Sequence, residues 1–174
     1  MDRKEHRKAI ARRFSQEARR FVEWADGSAC GDCLTAPLGL RRIASLYTEA
    51  LELPQPWSES VSVQPTEEPL FLEARLNQVR LRASALALQH YSEIFCPQVP
   101  PDPPRVGDLA DDLVAIYGDV ALGLYLHQAG RADDALWQWG FGFQARWGQH
   151  ASSAIRALHC YLAQEDPSGL SADA

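Results

Sequence analysis

Apolar side chains recur at intervals of three or four residues along most of the chain, which is the period of an amphipathic α-helix. The first such stretch runs from about Arg3 to Trp24 and is ended by Gly27. Its apolar face consists of Ile10, Phe14, Ala18, Phe21, Val22 and Ala25. No run of strictly alternating apolar and polar residues indicates a β-sheet. The pattern therefore predicts an all-α protein.

The same period predicts four further helices, near Leu38–Leu53, Leu70–Phe95, Asp108–Ala129 and Ala132–Ala163. Asp108 is placed as the N-cap of the fourth helix, and Gly130 is placed just beyond its last turn. The segments 54–69 and 96–106 are rich in proline, so we predict a loop and an extended connector there.

The fifth predicted helix is apolar on two nearly opposite faces. One face carries Trp139, Phe143, Trp147, Ala154, Leu158 and Tyr161, and the other carries Trp137, Phe141, Ile155 and Leu162. A helix with two apolar faces is surrounded by other helices. We therefore predict one domain over residues 1–164, an irregular bundle of about five helices with the C-terminal helix in its centre. Residues 165–174 are predicted to be a disordered tail.

Composition and charge narrow the possible functions. The chain has 174 residues, of which 46% are hydrophobic and 23% charged, as is typical of a globular domain with a core. Eight basic and three acidic residues lie within the first twenty, which gives this segment a net charge of +5. Because the net charge of the whole chain is −6, the remaining residues carry −11. This basic helix either docks on the acidic body or meets an external partner, and the acidic remainder argues against nucleic-acid binding.

The chain contains no apolar run long enough for a membrane span or a secretory signal. We therefore expect a cytoplasmic protein with reduced cysteines. Cys30 and Cys33 form a Cys-x-x-Cys motif without a second pair nearby. A four-thiolate zinc site would require the fold to bring Cys96 and Cys160 to them, and the role of Cys30 and Cys33 stays open.

The strongest candidate site lies on the fifth predicted helix, where Arg146 and His150 stand on either side of Trp147. An arginine that is held by a carboxylate and lies beside a histidine can bind an anion. The arginine and its carboxylate can equally be a structural ion pair that fixes helix register. Asp119 is expected on an exposed flank of the fourth helix, with Arg146 as its alternative partner. Asp112 belongs with the acidic residues that favour a helix N-terminus.

Two groups of residues could hold a metal, and a metal is predicted at neither. Asp108, Asp111 and Asp112 are accounted for by the positive end of the fourth helix. His90, His127 and His150 fall on apolar stripes and could converge on a metal, but satisfied core histidines are the simpler explanation. The chain also lacks a Gly-rich phosphate loop and a His-Glu-x-x-His motif, so no cofactor is predicted.

Three blocks of sequence are familiar as a set: Tyr91…Phe95-Cys96-Pro97, Leu109-Ala110-Asp111-Asp112-Leu113…Ile116-Tyr117 and Trp139…Phe143…Trp147-Gly148-Gln149-His150…Leu158-His159. Together they resemble a bacterial family of helical proteins known only as a domain of unknown function. The resemblance implies an all-helical fold and no established activity. The family carries His directly before its Trp-Gly pair, where this chain has Arg146, which argues against a centre built on two histidines there.

Because no catalytic motif accompanies the candidate residues, we expect a non-enzymatic binding or adaptor protein with an as yet unknown protein partner. Its recognition surface would be the groove near Asp112, Asp119, Arg146 and His150. The alternative is a small-anion-binding or metal-dependent enzyme, in which Arg146 holds the anion and His150 transfers a proton. The sequence leaves the substrate, the partner and the choice between monomer and dimer open.

Overall fold

The computed structural model describes residues 3–29, 34–55, 69 and 71–171. Within these ranges the elements are α1 (Arg3–Asp26), α2 (Ala36–Ala50), α3 (Phe71–Ala83), β1 (His90–Glu93), β2 (Arg105–Asp108), α4 (Leu109–Gln128), α5 (Ala132–Gly142) and α6 (Gly148–Glu165). A π-helical segment, Phe143–Trp147, joins α5 to α6 without a break. The structure confirms the predicted all-α class, and the described residues form five helical rods if α5, the π-helical segment and α6 are counted as one.

Two rods share the middle of the bundle. Helix α4 packs against α1, α3, α5 and α6, while the C-terminal stretch from α5 to α6 packs against α1, α2 and α4. Trp139 and Trp147 are fully buried, and the Phe14 ring of α1 lies 4.7 Å from the first and 6.3 Å from the second, between ring centroids. The Trp-rich segment is thus a hub of the core.

The start of α4 follows from its sequence. The Asp108 carboxylate accepts hydrogen bonds from the backbone N–H groups of Ala110 and Asp111, at 2.8 and 3.2 Å, and so satisfies two donors that have no partner within the helix. Asp111 forms an ion pair with Arg80 of α3. The predicted N-cap is confirmed, and the first turn of α4 is tied to its neighbour.

The prediction that the chain has no sheet is wrong. The third helix ends at Ala83 instead of Phe95, and β1 pairs with β2 in an antiparallel hairpin in which Tyr91 lies opposite Gly107. The Tyr91 ring covers Gly107 so closely that a Cβ there would lie 2.5 Å from it. The helical period did not indicate β1, because this strand pairs with β2, which follows in the chain only after the proline-rich connector. Ile94, which directly follows β1, is 38% exposed.

The basic helix α1 contacts acidic residues of the same molecule. Arg7 pairs with Asp133 at 3.1 Å, and Arg13 pairs with Glu49 of α2 at 2.6 Å. Exposed pairs of this kind contribute little stability individually, but their charges are complementary. Docking of α1 on the body thus accounts for part of the uneven charge distribution.

Part of the segment predicted as a disordered tail is folded against the bundle. Pro167–Leu170 forms a 3-10 turn whose Gly169 is buried. Arg41 of α2 donates a hydrogen bond to the carbonyl oxygen of Ser171 at 2.8 Å. Residues 172–174 lie outside the described residues. No helix in the described part of the chain is long and apolar enough to cross a membrane.

Candidate functional site

Two buried aspartates, Asp112 and Asp119, lie seven residues apart on α4, which places them two turns apart on one face. Each is only 4% exposed, and each is met by a residue of the C-terminal stretch. Arg146 contacts Asp119, and His150 contacts Asp112. The structure therefore brings four of the residues singled out in the sequence into two neighbouring pairs.

The Asp119–Arg146 pair is bidentate. Arg146 Nε donates to Oδ2 at 2.8 Å and Nη2 donates to Oδ1 at 2.5 Å, with the Gln138 amide 3.4 Å from Oδ1. The expectation that Asp119 lies on an exposed flank is wrong. The π-helical segment packs across the polar side of α4, and the helical period of α4 alone does not show this contact. Arg146, the alternative partner, takes this place, although its own side chain is 59% exposed.

Gly142 makes room for this pair. A Cβ at Gly142 would lie 2.8 Å from Trp147 Cδ1 and 3.1 Å from the carboxyl carbon of Asp119. A larger residue would force the indole or the carboxylate to move, because a buried carboxylate held by a two-point contact has little freedom. Glycine lowers helix propensity. At Gly142, the absence of a side chain leaves room for the ion pair to pack.

Asp112 belongs to a second, different network. Its carboxylate accepts a hydrogen bond from the Tyr91 hydroxyl at 2.5 Å, and His150 Nδ1 lies 2.8 Å from its other oxygen. The interpretation of Asp112 as one of the acidic residues that favour a helix N-terminus is therefore incomplete, because its side chain is buried and held by Tyr91 and His150. The hydrogen bond with Asp112 raises the pKa of His150 above its ordinary value, against the opposing effect of burial.

Tyr91 is a hydrogen-bond donor at neutral pH. Burial raises the pKa of its phenol, and the hydrogen bond to the Asp112 carboxylate raises it further. A phenol in this environment stays protonated, so it does not act as a phenolate base. The arrangement is a carboxylate held by a phenol that stays protonated and by an imidazole whose pKa is raised.

Glu93 and Ser153 continue the polar region beyond Tyr91. Glu93 is 7% exposed and accepts a hydrogen bond from the Ser153 hydroxyl. Sequence reasoning missed Tyr91, Glu93 and Ser153 as site residues. One signal was available, because Ser153 follows His150 by three residues and so lies on the same side of the helix. The positions of Tyr91 and Glu93 depend on the hairpin, which the sequence pattern did not reveal.

An open cleft of about 800 Å³ lies between β1 and α6, beside this polar region. Tyr91, Glu93 and Ser153 line one part of it. Most of the remaining wall is apolar and is formed by Leu88, Ile94, Phe95, Pro97, Ala157 and Tyr161. None of the four residues around which the groove was predicted lines this cleft, and Asp112 is linked to it through the hydrogen bond from Tyr91.

Trp147 does not face the cleft. It is fully buried, and its indole N–H donates to the carbonyl oxygen of Trp139 at 3.1 Å. It packs on Phe143 and Phe14 and so belongs to the core. Its side chain is therefore enclosed by the core and does not line the cleft.

The residues that could have formed a metal site stay apart. Within the described ranges, no three side chains of His, Cys, Asp or Glu are grouped as metal ligands would be. His90 lies at the surface 3.6 Å from Asp108, and His127 lies beside Trp139, where burial and Arg19 lower the pKa of its imidazole. Cys96 and Cys160 are exposed free thiols. Cys30 and Cys33 lie outside the described residues.

Comparison with known proteins identifies the family. The family model described as "Domain of unknown function (DUF5063)" matches residues 5–164, and the chain belongs to that family. The resemblance inferred from the three sequence blocks is thereby confirmed. No curated protein matches the chain.

One solved structure extends the likeness to three dimensions. The crystal structure of protein BF1032 from Bacteroides fragilis is 20% identical in sequence and superposes with a TM-score of 0.65. The alignment covers 88% of this chain and 91% of that one. At this level of identity the similarity shows a common fold and nothing more.

Proposed function

We propose that this chain, a member of that family, is a non-enzymatic binding module that recognises a protein partner in the cleft between β1 and α6. The observation that carries the proposal is the cleft itself, an open and largely apolar recess of about 800 Å³ next to buried polar groups. Recesses of this size with a few convergent polar side chains are where proteins bind ligands.

The exposed hydrophobic side chains near the cleft support a macromolecular partner. Ile94 and Phe95 extend from the end of β1 into its wall with 38% and 44% of their surface exposed. Aromatic and aliphatic side chains exposed beside a polar rim are characteristic of protein interaction surfaces. The Arg105 guanidinium lies 5.8 Å from the centre of the Phe95 ring.

The test is to fill the cleft without altering the core. Cys160 and Ser152 both line the cleft from exposed positions on α6, so Cys160→Trp and Ser152→Trp place an indole in it. Ala163→Trp is the matched control, because Ala163 is exposed on the same helix and does not line the cleft. Each variant is used to capture partners from a lysate of the source organism.

We expect one partner to be captured by the wild-type chain and by Ala163→Trp but not by the two cleft-filling variants. The proposal is wrong if captured proteins are indifferent to the cleft-filling substitutions, or if repeated captures return the bare chain. Circular dichroism of all three variants ensures that a lost interaction is not a lost fold.

A second candidate function, small-anion binding or proton transfer at Asp119, Arg146 and His150, is favoured by one observation. His150 is half-buried, carries a raised pKa, and feels the charge of the Arg146 guanidinium. Titration with inorganic phosphate, followed through the His150 imidazole resonances by NMR, tests it. If an anion binds between these residues, we expect saturable shifts of the His150 resonances in the wild-type chain and none in Arg146→Ala. Unchanged resonances in the wild-type chain would exclude this candidate.

A further inference from the structure

The register of the hairpin determines which backbone groups of β1 are paired. Leu109 N–H donates to the Gln89 carbonyl at 2.9 Å, in line with the pairing of Tyr91 with Gly107 and Glu93 with Arg105. In an antiparallel ladder, pairs that exchange hydrogen bonds alternate with pairs that do not. Ser92 and Val106 therefore form a non-bonded pair, and their backbone N–H and C=O groups point away from the hairpin, one set at each edge.

The edge of β1 borders the cleft. Ser92 and Ile94 line it together with Tyr91 and Glu93, although Ser92 lies on the opposite face of the strand from those two side chains. It is therefore the backbone edge that Ser92 presents. By the register, Ser92 takes no hydrogen bond from the β1–β2 ladder, and outside the ladder no backbone group in the described part of the chain hydrogen-bonds to its N–H or C=O. An unpaired strand edge of this kind is a template for another strand.

The charge of the cleft selects the partner's chemistry. Glu93 is more than nine-tenths buried, lines the cleft, and receives one hydrogen bond, from the neutral Ser153 hydroxyl, within the described ranges. Among the described lining residues, Glu165 adds a second carboxylate, and Arg156 is the one basic side chain. A carboxylate has room for about four hydrogen bonds and is strengthened most by a cationic donor. A ligand with an ammonium or guanidinium group complements this position.

We propose that the partner is an extended peptide segment that adds to β1 as a third strand and places a lysine or arginine against Glu93. The inference rests on the proposed function, because it names the occupant of the same cleft. Backbone hydrogen bonds to the Ser92 edge supply register, and side-chain pockets supply specificity, as in other β-strand additions. Since side chains alternate across a strand, the residues two positions before and after the basic one face the apolar wall.

The probe is a library of random peptides of about eight residues, a length that covers a typical strand, displayed on phage and selected on the full wild-type chain. Selected peptides are then measured by fluorescence anisotropy against three variants. Ser92→Pro removes the outward N–H at the cleft edge, and Val106→Pro removes the corresponding N–H at the far edge. Neither donor belongs to the hairpin ladder, so proline is tolerated at both sites. Glu93→Gln removes the charge and keeps an acceptor for Ser153.

We expect selected sequences to carry a basic residue flanked at two-residue spacing by apolar ones. Ser92→Pro and Glu93→Gln should each weaken binding about tenfold, and Val106→Pro should leave it unchanged. N-methylation of alternate peptide residues should abolish binding at one set of positions only, which tests the same hydrogen bonds without altering the protein. Amide hydrogen exchange at Ser92 should slow when peptide binds.

Different outcomes separate this inference from the proposed function. Peptides that bind in the cleft, as judged by loss of binding to Cys160→Trp, but bind Ser92→Pro at full strength would overturn strand addition and leave the cleft as a recognition site. Selected peptides without a basic residue would overturn the role of Glu93. A selection that yields no peptide sensitive to Cys160→Trp counts against both.

Discussion

Asp119 and Asp112 lie on the same face of α4 with the same low exposure, yet their surroundings differ in kind. Asp119 meets a permanently charged guanidinium through a two-point contact. Asp112 meets a phenol and an imidazole, and the imidazole is the one partner whose charge changes near neutral pH. Two turns of one helix thus separate a fixed ion pair from a network whose charge depends on conditions.

This difference indicates separate roles. An ion pair held by a two-point contact orients the helices that carry it. The Asp112 network reaches the cleft through Tyr91 and lies beside Glu93, so changes in its charge are felt where a ligand would bind. Under the proposed function, the residues that the sequence suggested as one site divide into a structural half, Asp119 and Arg146, and a recognition half, Asp112 and His150.

The largest effect is expected from breaking the structural half. Arg146→Ala leaves the buried Asp119 without its counter-charge and should lower the free energy of unfolding by about 2 kcal/mol, less than for a fully enclosed pair because Arg146 is partly solvated. Arg146→Lys, which keeps the charge and loses the fork, should lie between. Urea denaturation measures both, and adding Asp119→Asn to Arg146→Ala should recover part of the loss. A loss below about 0.5 kcal/mol for Arg146→Ala would contradict this assignment.

A smaller effect is expected from crowding the same pair. Gly142→Ala should cost about 1–2 kcal/mol, because the new methyl group must displace Trp147 or the Asp119 carboxylate. Gly118→Ala is the matched control: a methyl group on this mid-helix glycine of α4 would lie 3.6 Å from Leu76 Cδ2, an ordinary contact. The control should gain up to about 1 kcal/mol in helix propensity. Thermal unfolding of the two variants should therefore shift in opposite directions, and equal shifts would refute the packing role of Gly142.

The smallest effect tests the recognition half through pH. The folded-state pKa of His150 is raised, so the charged imidazole stabilises the fold fully below its unfolded value of about 6.5, and this contribution is lost as pH rises through the folded value. Asp112→Asn should lower the pKa of His150 in an NMR titration. The free energy of unfolding that Asp112→Asn loses relative to the wild-type chain should be about 1 kcal/mol larger below the unfolded pKa of His150 than at pH 8.

His127 serves as the internal reference in the same spectra, because burial and Arg19 lower its pKa independently of Asp112. An unchanged His150 titration in Asp112→Asn would mean that another group sets the charge of the imidazole. The remaining carboxylate near His150 is that of Glu93, so Glu93→Gln would then be the variant to titrate.

Features with a local cause could be predicted from the sequence. The N-cap of α4 depends on Asp108 and the two N–H groups that follow it, and the burial of the Trp-rich stretch follows from its two apolar faces. The family resemblance could likewise be read from contiguous blocks. Each of these signals lies within a few residues of the feature it specifies.

The features that escaped prediction depend on pairing between distant segments. β1 exists because residues 105–108 return beside it, and the burial of Asp119 depends on where the π-helical segment crosses α4. Neither the return of residues 105–108 beside β1 nor the packing of the π-helical segment on α4 is visible in the hydrophobic pattern of α4 or of residues 90–93. The division of the candidate residues into two networks therefore became apparent only with the fold.

The five-residue π-helical segment Phe143–Trp147 changes the rotation of α6 about the helix axis relative to α5. Each residue advances an α-helix by about 100°, so removing one residue from that turn would swing everything after it by roughly that angle relative to α5. The contacts that α5 makes would persist, whereas His150 and Ser153 would turn away from their acidic partners. The π-helical segment thus sets the rotation of α6 relative to α5, and with it the direction in which the side chains of the cleft wall point.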